Sequence, residues 1–113
     1  MVESIEIEKL QQYVGQQVRI SGIVEKIEDH GGLLFLVIND LTFLASAIVI
    51  PDKEKVFSMA KNLKKGYLVD VTGVVKTCPL SGSESLCEIE VETLAILSAR
   101  TRVENMIKIA GKE

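Results

Sequence analysis

Few residues in this chain are able to do chemistry. His30 is the single histidine, so a multi-histidine metal site cannot be built within one copy. As a general base it would need a nucleophile within reach. It sits instead in the turn signal Asp29-His30-Gly31-Gly32, and no Gly-x-Ser-x-Gly elbow occurs. It reads as a solvated turn residue. Neither Gly-x-x-x-x-Gly-Lys nor Gly-x-Gly-x-x-Gly is present to cradle a phosphate. Cys78 and Cys87 are the two thiols; zinc needs about four ligands, and cytosolic disulfides are uncommon. Two free thiols are therefore expected, with a disulfide across a hairpin as the alternative. The expectation is a chain with no catalytic residue, no metal and no cofactor.

Binding chemistry is better represented. Lys53, Lys55, Lys61, Lys64, Lys65 and Lys76 face only Asp52, Glu54 and Asp70 in the same stretch. Such a segment can track phosphates with salt-dependent strength, or it can be a solvated helix face. Glu88, Glu90 and Glu92 are expected to make the opposite rim acidic. Phe35 lies in the apolar run Leu33–Ile38, and an outward aromatic is a platform for a stacked base. Overall, 13 basic against 16 acidic residues give a net charge of −3. That excludes the strongly basic class of nucleic-acid binder but leaves room for a local basic face.

These residues need elements to position them. A chain of 113 residues is expected to form a single domain. Its longest apolar run is far short of a membrane span, so no membrane partner is expected. The start, Met1 to Glu6, lacks a basic or apolar leader, and the expected compartment is the cytosol or nucleus. From Gln17, Val18, Ile20, Gly22 and Val24 alternate with Arg19, Ser21, Ile23 and Glu25, which predicts a strand. Gly22 within it predicts a bulge or bend. After the Gly31-Gly32 hairpin come a strand at Leu33–Asn39 and a third at Leu44–Ile50. Val56, Met59, Ala60 and Leu63 then fall at helical spacing, predicting a helix from about Asp52, its N-cap, to Lys65. A fourth strand, Tyr67–Lys76, has a second bend at Gly73. The fifth alternates Glu88, Glu90 and Glu92 with Ile89, Val91 and Leu94. Ile7, Leu10, Gln11 and Val14 predict a short N-terminal helix closed by Gly15. Thr101 and Glu104 have capping-box spacing for a C-terminal helix at about 102–110.

Five strands with one helix between the third and fourth is the element order of the OB-fold, a Greek-key barrel, here spanning about residues 16–97. The fold class is thus all-β with accessory helices. If Val18, Ile20, Val24, Leu36, Ile38, Ala45, Ala47 and Val49 face inward, then Ile23, Leu33, Phe35, Val37 and Ile48 face outward. They do so on the first three strands, the usual binding face of such a barrel.

Val14-Gly15, then Val18-Arg19-Ile20-Ser21-Gly22, then the run Phe35–Asp40, together with Leu63–Val75 and Glu88–Leu97, resemble the anticodon-binding OB domain of class II aspartyl-tRNA synthetases, especially the archaeal and eukaryotic cytosolic type. The resemblance covers about three quarters of the chain. It implies a non-catalytic, cytoplasmic module that binds single-stranded or tRNA-loop RNA, with Phe35 as the aromatic that stacks on an anticodon base. At other positions the chain departs from the family. Ser46 replaces a usual glutamine, Glu28 stands where arginine is common, Ile23 where tryptophan or arginine is, and Asn39 where arginine is frequent. The nucleic-acid candidates are Phe35, Ser46, Arg19 and Asn39, with Lys53, Lys64, Lys65 and Lys76 towards phosphates. The other expected use of the face is a protein contact through Ile23, Leu33, Val37 and Ile48, making a homodimer or docking on a larger assembly. The class II catalytic domain does not follow the fifth strand, so a free-standing relative is expected rather than an excised synthetase domain.

Overall fold

The computed structural model describes residues 4–79 and 86–99. A 3₁₀ turn at Ile7–Tyr13 precedes β1 (Gln17–His30), β2 (Leu33–Asn39) and β3 (Leu44–Val49). The helix α1 (Glu54–Lys61), β4 (Leu68–Thr77) and β5 (Cys87–Ser98) follow. The strands close into a barrel in the order β1-β2-β3-β5-β4, and β4 returns to β1. Only β3 and β5 run parallel; the other neighbours are antiparallel. This is the expected five-stranded OB barrel with its helix between the third and fourth strands.

Period-two alternation builds the core. All eight residues expected inward on the first three strands are buried, and Val69, Val71, Val75, Ile89 and Val91 complete the lining from β4 and β5. β-branched side chains suit this role because they fill a pleated surface with few rotamers to lose. Ile7 and Leu10 bury themselves against the same core, while Val14 stays exposed.

β1 belongs to two sheets at once. Gln17–Ile23 pairs with β4 and Ile23–His30 pairs with β2, so the strand must coil sharply at its middle. A Cβ on Gly22 would lie 2.6 Å from the Asn39 carbonyl oxygen and 2.7 Å from Ile38 Cγ2. On Gly73 it would run into the Glu90 carbonyl. Both mid-strand glycines are thus required by close backbone approach. The bulge itself falls three residues later, between Val24 and Lys26. It reverses the parity of β1, so that Ile27 packs against the core while Lys26 and Glu28 share the outer face with Val37 and Phe35.

Two expectations are corrected. The helix is shorter than Asp52–Lys65, and Lys53 rather than Asp52 occupies the N-cap, with no side-chain cap bond. Of its apolar positions Ala60 is buried, Leu63 is buried just past the helix end, and Met59 is exposed. Gly66, at φ 97°, turns the chain into β4 and donates its N–H to the Val24 carbonyl at 2.7 Å. The expected short N-terminal helix is present at Ile7–Tyr13 and is of the 3₁₀ type. Finally, Cys78 and Cys87 form a disulfide where free thiols were expected. Thr77 pairs with Glu88 across β4 and β5, so the next residues face each other at the hairpin mouth, and this register decides the pairing. The C-terminal helix expected at about 102–110 lies outside the described residues.

Gly22→Ala tests the close approach. Overpacking against a backbone carbonyl is expected to lower stability by about 1–3 kcal/mol, read as a lower urea midpoint. An unchanged midpoint would show that β1 can move away from β2 at no cost.

Candidate nucleic-acid interface

The outer face of β1, β2, β3 and β5 is organised in rungs. One reads Glu28–Phe35–Ile48–Glu90, the next Lys26–Val37–Ser46–Glu88, and a third Ile23–Asn39–Leu44. Phe35 sits in mid-face on β2 and is half-buried. The structure brings Phe35, Val37, Ser46 and Ile48 into one patch, with Ile23 and Asn39 at one end. Leu33, opposite His30, is at the other.

Beside Phe35 lies a charged array. Glu28 accepts from Lys26 Nζ at 3.0 Å and pairs with His30 Nε2 at 3.3 Å. Those two hydrogen bonds, Lys26 first, hold its carboxyl below the ordinary carboxylate range, against a smaller opposing effect of desolvation. The His30 ring stands perpendicular to Phe35 with centroids 5.0 Å apart. His30 thus meets Phe35 edge-on while its side chain stays exposed beside the turn, as the sequence suggested. The signal was present: with Gly31 and Gly32 as a two-residue turn, counting outward places His30 opposite Leu33 and Glu28 opposite Phe35.

The remaining candidates do not converge. Arg19 lies on the half of β1 that pairs with β4, and its Nε donates to both Asp70 carboxylate oxygens at 3.0 and 2.8 Å. Asn39 is engaged at both ends, giving its Nδ2 to Glu25 at 2.7 Å and accepting the Leu41 N–H at 2.7 Å. Lys53 Nζ reaches the Val91 carbonyl at 3.2 Å. Lys64 and Lys65 precede β4 and Lys76 is near its far end, so these lysines lie apart and form no single basic groove. Glu88 and Glu90 are not an opposite rim: β3–β5 pairing sets them directly beside Ser46 and Ile48.

The β2–β3 turn hangs on Asp40. Its carboxylate accepts the N–H of Ile7 at 2.7 Å, of Thr42 at 2.9 Å and of Phe43 at 3.2 Å, and the Thr42 hydroxyl. This ties the turn to the N-terminal segment. Leu41, at φ 77°, and Phe43 are left exposed beside Leu44 and Leu86, around a shallow groove of about 520 Å³.

A closed five-stranded barrel with an aromatic in the middle of its β1–β3 face defines a small-barrel binding module of the OB class. More specifically, residues 18–94 match the tRNA anticodon family of OB-fold nucleic acid binding domains, and the chain belongs to that family. As such it is a nucleic-acid-binding module, non-catalytic by itself. Among solved structures, asparaginyl-tRNA synthetase from Pyrococcus horikoshii, complexed with asparaginyl-adenylate, superposes with a TM-score of 0.76. It is 29% identical over 89% of this chain and 24% of its own. The aspartyl-tRNA synthetase from Entamoeba histolytica gives 0.74 at 20% identity, over 98% of this chain and 26% of its own. OBody AM3L09, solved bound to hen egg-white lysozyme, shares the fold at 0.69 and 18% identity, over 79% of this chain and 88% of its own. The chain thus spans about a quarter of the length of the synthetases it matches.

Asp40 gives a pH prediction. Burial alone would raise its carboxyl, yet the bonds from Ile7, Thr42 and Phe43 together hold it below the usual 3.8. A depressed folded-state value means stability that is fully present above the unfolded value and lost as pH falls through the folded one. The lead of the native chain over Asp40→Asn is expected to be constant from pH 7 to 5 and to shrink below about pH 4. Thermal melts of both across that range check it; a lead that persists at pH 2 would show that ionisation plays no part.

Proposed function

We propose that this domain binds single-stranded or tRNA-loop RNA on the β1–β3 face, with Phe35 stacking on a base. The observation that carries this is the placement of a half-exposed aromatic at the centre of the outer face of a chain in the anticodon-binding family. Ser46, on the adjacent rung, offers a hydroxyl to the same base or its neighbour. Lys64, Lys65, Lys76 and Lys53 contribute at most isolated phosphate contacts, and Arg19 is held by Asp70. The likeness to synthetases supports work in the cytoplasm as an accessory RNA-holding domain. No helix among the described residues is long and apolar enough to cross a membrane.

A second reading has its own observation. Ile23, Val37, Ile48 and Leu33 form an apolar strip bordered by Glu28, Glu88 and Glu90, a charge pattern better suited to a protein partner than to a bare polyanion. In that reading the face makes a homodimer or docks onto a larger assembly.

Phe35→Ala separates the two. Under RNA binding it is expected to weaken association with a single strand by about 1–3 kcal/mol, with molecular mass unchanged. The native salt dependence is expected to be shallow, with a log–log slope of about −1 to −2. A mass that drops towards monomer in sedimentation, with RNA affinity intact, would instead establish the protein contact.

A further inference from the structure

Glu28 is a charged residue on this face that the RNA-binding reading leaves unused, and it lies next to Phe35. It lies directly across from Phe35 on the neighbouring strand, about 5 Å away at the usual strand spacing. Its carboxylate pairs with Lys26 on one oxygen and His30 on the other. An ionised carboxylate only accepts, and its two oxygens offer about four lone-pair sites, so each oxygen keeps capacity after these contacts. A base lying flat on Phe35 must project an edge over Glu28, Ile48 or the adjacent rung, because its rings are wider than the phenyl beneath.

We propose that Glu28 makes the Phe35 platform select a base carrying amino donors and reject uracil. The inference rests on the reading that a base stacks at Phe35. Guanine presents N1–H and N2–H₂ side by side, a two-donor edge that a carboxylate accepts bidentately. Cytosine and adenine each present one amino group, N4–H₂ or N6–H₂. Uracil flanks its single N3–H with two carbonyl oxygens, so in a bidentate in-plane approach one carboxylate oxygen faces another acceptor. Glu90 reinforces the bias, since it ends the same rung beyond Ile48. The arginine common here in the resembling family would have the reverse preference, for acceptor edges.

The test uses short RNAs that hold one base, G, C, A or U, among abasic residues. They are titrated into the full chain while NMR follows the Phe35 and His30 ring signals. The expected order is guanine, then cytosine and adenine, then uracil, with guanine at least roughly fivefold tighter than uracil, the lower end for one bidentate base contact. Glu28→Gln, which can both donate and accept, is expected to shrink that gap below about twofold while the Phe35 signals still shift and the melting temperature is kept. Equal binding of guanine and uracil overturns the proposal, as does a gap that survives Glu28→Gln. If no RNA moves the Phe35 signals while Phe35→Ala changes the oligomeric mass, the stacking reading falls with it. That outcome is distinct from stacking without selection.

Discussion

The barrel depends on one strand serving two sheets. β1 runs for 14 residues and is paired to β4 through its first half and to β2 through its second. Coiling it this tightly brings the backbone of β2 onto Gly22, where a side chain has no space. Closure also requires β4 to bend against β5, and Gly73 makes room there in the same way. Barrels remove exposed strand edges only when such bends are available. Everything on the outer face inherits its position from this geometry.

The bulge after Val24 is the step that turns architecture into chemistry. Without it, strict alternation would send Lys26 and Glu28 into the core, where an unpaired charge costs several kcal/mol. With it, Ile27 takes the inward place and Lys26, Glu28 and His30 line up beside Val37, Phe35 and Leu33. One extra residue therefore supplies the polar half of the candidate site and keeps the hydrophobic lining continuous. Phe35 then meets His30 edge-on, and Glu28 pairs with both Lys26 and His30.

Much of this was legible in the residues themselves. Period-two patterning identified the inward set on β1 to β3, because a one-residue slip would expose every apolar side chain, and the element order was enough to choose the barrel. Helix limits were less legible: Met59 has helical spacing but an exposed position, as α1 covers the barrel with little more than one buried residue. Partners across strands were the least legible. Arg19 looks available until β4 delivers Asp70 to it, 51 positions away in the chain. Glu88 and Glu90 look remote until the parallel β3–β5 pairing places them beside the apolar patch. His30 is solvated as its turn suggests, but its contacts with Glu28 and Phe35 come from the register of the hairpin. Cys78 and Cys87 were judged from cellular habit, whereas hairpin register set them face to face.

The resulting face has an uneven field. On the β1 side, Lys26 offsets Glu28; on the β5 side, Glu88 lies three strands from the Lys26 that ends its rung, and the rung of Glu90 holds no lysine. Strands lie about 5 Å apart, and charges are screened over roughly 8 Å at physiological salt. A phosphate above β3 therefore feels both β5 carboxylates, while one above β1 feels a nearly neutral pair. In the proposed RNA-binding reading, a polyanion on this surface keeps its backbone near Lys26 and turns its bases towards Phe35 and Ile48. Phosphate attraction, which carries most sequence-independent affinity, is weak here, so stacking and base-edge contacts must supply a larger share. In that reading the module binds less tightly than a basic OB domain, and its affinity depends more on which base it meets.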